Sequence, residues 1–549
     1  MGEQPHSSFG SVANATATVA NQLSCSAYGS LGGWHPSPDL STRLGPGVSI
    51  AAYRRAANLI RIGFQLAAKR VIEGRFMHIS LAGFAVCAGL LLIGYCSRAT
   101  LIVALMGSLA FGSTAVVSLT MLGGSSPLAF TLIAFVLLLF VLIRRTTLDD
   151  LAVVFTKYRA AWIALGLMFY VCVGTALLPR LFAGRTNAFV PVHGVIFEVP
   201  LGPVSGNVTQ TSYFVLGVLT FLALSVLLLC RANLQKMRNG FFAWCVLHAA
   251  LGLTDFASKL LGAGDVLAPI RTAAYAMVTE AEEAGFSRIV GGYSEASAFG
   301  GATLATLAFA FTYWRRTLSS TALALSIALL VLLMLCTSST AYVGAFAISV
   351  PLILALGRSM LAGRFSRNDL MLFAVVLLAV VIILSMYLYN DRQFAPVVHL
   401  FESTILNKPL SNSGQERTNW NLTSLQSFLD TGGLGIGFGS SRASSWIIAV
   451  ISQIGLLGAL FVAALVMELS RSIGRPRSGE IDPEMRALHD SVRACALAWL
   501  VGASIGSGSA DPGLLFFVAL ATVLACRTQC ERFSMRIGEP TSTLDRDYG

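Results

Sequence analysis

The sequence predicts an all-α, polytopic integral membrane protein, and three observations carry that reading. Of 549 residues, 55% are hydrophobic and only 12% charged, with a mean hydropathy of +0.72. A soluble fold of this length does not hide so much apolar surface. Uncharged apolar runs of about 20 residues recur along the chain, the length that crosses a bilayer as a helix. Short arginine clusters alternate with these runs and mark cytoplasmic loops under the positive-inside rule. The same rule accounts for the net charge of +11, so no nucleic-acid partner is expected.

Taken in order, residues 1–50 are rich in Ser, Ala, Gly and Pro and read as a disordered tail. Residues 51–75 place Arg54, Arg55, Arg61, Lys69, Arg70 and Arg75 among apolar residues, which suits a basic helix on the inner leaflet. Together, 1–75 form an N-terminal region, 76–530 a transmembrane domain and 531–549 a cytoplasmic tail. The first apolar run starts only near Met77, so no cleavable signal peptide is expected. Candidate spans follow at approximately 77–95, 100–122, 127–143, 161–178, 211–230, 240–256, 296–314, 320–336, 338–357, 369–389, 445–467, 491–508 and 512–526. The basic clusters at Arg144/Arg145, Arg231/Lys236/Arg238, Arg315/Arg316, Arg358/Arg364/Arg367 and Arg471/Arg475/Arg477 alternate correctly as cytoplasmic. The start conflicts with that alternation. If 51–75 is cytoplasmic, three crossings would put Arg144 outside. Either one of the first three segments does not cross, or the N-terminus lies outside. The reading favours about twelve crossings over thirteen, with 77–95 the segment in question.

This orientation places three long loops, 179–210, 257–295 and 390–444, on the outer face. Ionisable groups are scarce inside the spans, with His248 the main exception. Transporters and pumps place charges there, so chemistry is expected at the outer face instead. Ser413 and Glu416 have capping-box spacing, which predicts a helix that Gly432–Gly433 would stop. Arg417 near the start of that helix is the leading candidate, because a guanidinium fork matches phosphate oxygens. For an isolated arginine, a solvated surface role is the commoner outcome. The run GGLGIGFGSSR matches no phosphate-loop fingerprint and reads first as a tight re-entry of the chain, while letting Arg442 approach a ligand. Glu295, at the lip of a membrane helix, is either a helix-end charge or a general base or sugar clamp. Arg271 and Arg288 share its loop and are candidates for binding anionic head groups. His399 shares the loop of Arg417; His193 and Asp511 are lesser outer-face candidates. No HExxH or Cys/His pairing supports a metal, no cofactor is expected, and the ten cysteines read as packing residues.

The segments GGYSEASAFGG, TSSTAYVGAF and QERTNW, followed by GGLGIGFGSSR and QIGLLG, occur in that order over roughly residues 285–460. This arrangement resembles the O-antigen ligase and Wzy-type polysaccharide polymerase superfamily of bacterial inner-membrane proteins. GGSSP at 123–127 is similar to exopolysaccharide polymerases of that superfamily. The resemblance implies a GT-C-like fold and a metal-independent glycosyltransferase acting at the periplasmic face on undecaprenyl-diphosphate-linked oligosaccharides. It further implies outer-loop arginines that hold the diphosphate, with Arg417 carrying over best and Glu295 and Arg288 next. Membrane lipids, a chain-length regulator and export machinery are the further partners it implies. Ligases of the superfamily often place a His-Asn pair after the glycine run. Here that place reads Ala443–Ser444–Ser445, which favours a polymerase. Some members carry an arginine after the serine near Ser338, where this chain has Ser339 and Thr340. A ligase acting on another acceptor and a lipid-linked sugar flippase are the alternatives. A flippase calls for a charged cavity across the bilayer and related halves, and neither is evident in the sequence.

Overall fold

The computed structural model describes residues 78–96, 100–118, 125–192, 195–273, 277–279, 282–283, 286–363, 410–474 and 482–538, with isolated positions between 370 and 407. His193, His399 and most of the expected span 369–389 lie outside the described residues. The described chain is a helical bundle. Its helices are α1 (Leu81–Cys96), α2 (Thr100–Ser108), α3 (Ala129–Leu142), α4 (Thr147–Lys157), α5 (Arg159–Leu181), α6 (Ser205–Leu227) and α7 (Arg231–Leu260). They continue as α8 (Ala296–Thr317), α9 (Ser320–Leu335), α10 (Ser339–Leu361), α11 (Asn412–Asp430), α12 (Trp446–Ser470), α13 (Pro483–Gly506) and α14 (Leu514–Gly538). The expectation of an all-α fold needs one correction. Three antiparallel two-stranded ribbons accompany the helices: β1 (His78–Ile79) with β2 (Val117–Ser118), β3 (Asn187–Val192) with β4 (Val195–Pro200), and β5 (Glu282–Glu283) with β6 (Phe286–Ser287).

Among the described residues, α5, α6, α7, α8 and α12 are long and apolar enough to cross a membrane, and the pair α3–α4, bent by 107°, makes a sixth if it is one span. Large apolar side chains such as Trp162, Phe169, Phe346, Ile353 and Leu456 point outward from the bundle. Such a surface is at home in lipid and not in water. The protein is membrane-embedded. Within the described part of the expected span 100–122, the helix covers Thr100–Ser108, and Val117–Ser118 pair with β1. α1 has 16 residues, about 24 Å at 1.5 Å per residue, short of a bilayer core. In α4, Asp149 and Asp150 fill the first turn and Lys157 the last, both complementary to the helix dipole.

The bundle centre is the pair α8–α13, which have the most extensive mutual packing. Small residues allow it: a side chain on Gly502 would meet Gly301 of α8 at 3.4 Å. Where water is absent, such close backbone approach is what drives helix association. Phe241, Phe309 and Tyr313 stack beside it, with Phe241 and Phe309 ring centroids 4.9 Å apart.

Charge sorts the bundle into two ends. Arg231 at the start of α7 pairs with Asp482 at 2.5 Å, and Arg238 pairs with Glu484. Arg316 at the end of α8 pairs with Asp490 at 2.5 Å, and Arg527 of α14 with Glu468 of α12 at 3.4 Å. All these groups belong to the basic end. At the opposite end, Ser80 N–H donates to the Val116 carbonyl, Ser113 to Gly292 and Trp446 Nε1 to Ala510. The described parts of the loops 179–210, 257–295 and 390–444 all join this second, loop end. α1 enters the bundle from the loop end, α2 returns to it, and α3 descends to the Arg144 cluster.

Candidate functional site

The site is built where four segments converge at the loop end: the start of α8, the first turns of α11, the glycine run, and the α13–α14 connection. α11 is capped two residues earlier than the capping-box spacing suggests. Ser411 is the N-cap, and its hydroxyl accepts the Gly414 N–H at 3.2 Å. Ser413 lies inside the helix, its hydroxyl 3.4 Å from that of Ser411. The competing serine two residues earlier takes the cap because its extended backbone, with ψ of 153°, lets its hydroxyl reach back into the first turn. The helix stops where expected: Asp430 is last, and Gly432 has φ of 61°.

The glycine run is a packing device. Gly435 has φ of 88°, and a side chain there would lie 2.6 Å from the Gly455 nitrogen. Gly455 itself breaks α12 with φ of 64° and ψ of −171°. The run fills that break: Ile436 N–H donates to the Ser452 carbonyl at 3.0 Å and Gly437 N–H to the Gln453 carbonyl at 2.9 Å. Gln453 secures the far end, accepting from Gly439 N–H at 2.7 Å and donating to the Ser441 carbonyl at 2.6 Å. Asn207 of α6 adds bonds to the Phe438 carbonyl and the Ser440 hydroxyl, both at 2.8 Å. The amides therefore go to protein partners. What the run presents is the next residue, Arg442.

Arg442 is held at both backbone and side chain. Its N–H donates to the Phe189 carbonyl of β3 at 2.8 Å, and its guanidinium lies 5.4 Å from the centre of the Trp420 ring. Trp420 is one turn beyond Arg417 on α11, and its ring lies 6.4 Å from Phe189. Arg442 keeps solvent contact on one side, while protein packs the other. That burial lowers its pKa, Glu295 opposes the shift by attraction, and Arg417 adds to it by repulsion. Glu295 and Arg417 thus each lie within electrostatic reach of Arg442.

Glu295 occupies the N-cap position of α8, yet its carboxylate caps no backbone N–H. It accepts the Ser297 hydroxyl at 2.6 Å. The helix-end reading therefore accounts for its position and not for its side-chain contacts. The α13–α14 connection closes the site: Ala443 N–H donates to the Gly508 carbonyl at 3.3 Å, and Arg442 packs on Gly508. In that connection Asp511 accepts from Gly513 N–H at 2.9 Å, and burial raises its pKa to about 6.

The other arginines part company. Arg288 lies within electrostatic reach of Cys336 and Tyr342, around the start of α10, and its carbonyl takes the Lys259 ammonium. Nearby, the hydroxyls of Thr337 and Ser338 are buried without a hydrogen-bond partner among the described residues, and Thr337 has a left-handed φ of 45°. Backbone strain beside unsatisfied hydroxyls is a mark of functional sites. Both lie in TSSTAYVGAF, where the arginine that some members carry is absent, so residue type alone does not mark them. Arg271 is used internally. It donates to Asp255 at 3.0 Å, to Asp265 at 2.6 Å and twice to the Gly291 carbonyl, so little of it is left for an outside head group. Among the described residues, no group of His, Cys, Asp and Glu has a metal-binding arrangement. The chain matches no protein-family model, and no curated protein matches it.

Proposed function

We propose that this protein is a periplasmic-face polysaccharide polymerase of the bacterial inner membrane. It joins undecaprenyl-diphosphate-linked oligosaccharide units within a bundle of about twelve crossings of GT-C-like character. The observation that carries the reading is Arg442, held over Trp420 of the helix that bears Arg417 and within electrostatic reach of both Arg417 and Glu295, the N-cap residue of α8. Two guanidinium groups and one carboxylate suit a glycosyl transfer with a diphosphate leaving group. A hydroxyl of one glycan attacks the anomeric carbon of another, forming the new C–O bond as the bond to diphosphate breaks. Glu295 takes the hydroxyl proton. Arg417 and Arg442 neutralise the charge that the departing diphosphate gains, which is electrostatic catalysis without a metal.

Holding Arg442 over Trp420 keeps its planar fork oriented before substrate arrives, so little ordering is left to do on binding. The test is Glu295→Gln in cells, with polymer yield measured at matched membrane abundance. Loss of a general base lowers transfer about 100- to 10,000-fold. Wild-type polymer length and yield in the variant would reject the assignment of Glu295.

A further inference from the structure

A second site lies at the opposite, basic end of the bundle. There the ends of α1, α3 and α6 and the starts of α2 and α7 leave a cavity of about 700 Å³. Its walls are apolar and include Tyr95, Leu101, Phe140 and Leu227, while Arg144 and Lys236 stand at its polar margin. Neither Arg144 nor Lys236 has an ion-pair partner among the described residues. This sets them apart from Arg231, Arg238 and Arg316 at the same end, each of which meets a carboxylate. Asn233, also at the margin, spends its amide on the Leu227 carbonyl at 2.7 Å.

We propose that this groove is a binding site for an anionic phospholipid of the leaflet at the basic end. An acyl chain lies against Leu101, Phe140 and Leu227, and the phosphodiester lies between Arg144 and Lys236. Charge complementarity selects the occupant: an apolar slot with two unanswered cations at the membrane surface fits a hydrocarbon chain bearing a negative head. The guanidinium supplies a fork for two phosphate oxygens and the ammonium a point charge. A neutral lipid would fill the apolar walls equally well but leave both cations without a counter-charge. The site does not depend on the glycosyl-transfer reading, and it sits at the end remote from Arg442.

The experiment uses the full-length protein in nanodiscs of phosphatidylcholine and phosphatidylglycerol at equal mole fraction, with retained lipid read by native mass spectrometry. Wild-type protein should retain phosphatidylglycerol preferentially. The double variant Arg144→Gln/Lys236→Gln should lose that preference by about 20- to 30-fold, at roughly fivefold for each basic residue near a leaflet surface. Leu101→Trp, which narrows the apolar slot and leaves both charges, should lose the retained lipid as well. Arg358→Gln, an exposed arginine at the same end and outside the groove, should retain it. No preference in the wild type, full retention in the double variant, or equal loss in Arg358→Gln would overturn the proposal. Displacement of the lipid by inorganic phosphate alone would overturn the assignment of a lipid as the occupant.

Discussion

Arginine at the loop end has two fates, and its partners decide between them. Arg271 and Asp255 are almost fully buried, with side chains 2% and 1% exposed. Asp255 also accepts from the Val290 and Gly291 N–H groups at 2.7 and 3.1 Å, so this network ties Arg271, Val290 and Gly291 to α7. Removing one partner of a buried pair costs about 3–5 kcal/mol, because the other charge is left uncompensated. Arg271→Ala should therefore lower thermal stability in detergent and membrane abundance together; unchanged melting would show that the network is dispensable. Arg442 behaves differently, since its guanidinium lies over Trp420 and faces solvent. Arg442→Lys should preserve abundance while transfer falls, because an ammonium lacks the bidentate fork and stacks poorly on the indole. Residue types and loop membership single out Arg417, Arg442, Glu295, Arg288 and Arg271 alike as candidates in the sequence. Trp420 was visible within QERTNW, but only the fold shows that it meets Arg442 across the turn. Arg271 looked the same as the others because a sequence does not show which acids a guanidinium meets.

At the scale of elements, the glycine run and the break at Gly455 act as one unit. Both Gly432 and Gly435 have left-handed backbones, but only Gly435 is closed in. A side chain on Gly432 meets nothing within 4 Å, whereas on Gly435 it would lie within 3 Å of backbone atoms of Gln453 and Gly455. Gly432→Ala should cost about 1–2 kcal/mol of conformational strain and leave polymer formation near normal. Gly435→Ala should displace Arg442 and abolish polymer. Equal activity of the two variants in the polymer assay would refute this reading of the run. The α13–α14 connection makes a pH prediction. The Asp511 pKa is raised to about 6 in the folded state, so the folded protein holds that proton more tightly than the unfolded chain. Stability should then fall as pH rises from about 4 to about 6, and Asp511→Asn should flatten that slope when melting is followed against pH. The element least legible in the sequence is the β3–β4 hairpin. Val190, Val192, Val195, Ile196 and Val199 carry the β-branched signal, but Pro191 obscures it. Tertiary bonds secure the hairpin: Phe189 N–H donates to the Ser441 hydroxyl, and the Asn187 carbonyl accepts from Ser427.

At the scale of the molecule, sorting of charge by end was the most legible property, because short basic loops signal it directly. The position of α1 was not legible. Its entry from the loop end depends on the β1–β2 pairing and on Gly83, where a side chain would collide with the Ala115 carbonyl oxygen. These are contacts between segments whose composition alone suggests ordinary spans. The two ends use charge differently: several arginine–carboxylate pairs lace the basic end, and the loop end holds both the buried Arg271–Asp255 pair and the solvent-facing Arg442. The central claim is that Arg417 and Arg442 act together on a lipid-linked diphosphate. The direct measurement extracts lipid-linked oligosaccharides and polymer from cells carrying Arg417→Ala or Arg442→Ala, with membrane abundance matched to wild type. A donor aimed at developing charge in a shielded site is worth about 3–4 kcal/mol, so each variant should lose polymer by at least about 100-fold while single repeat units accumulate on the lipid carrier. Full-length polymer made at the wild-type rate by both variants, with no accumulation of single units, would contradict the account.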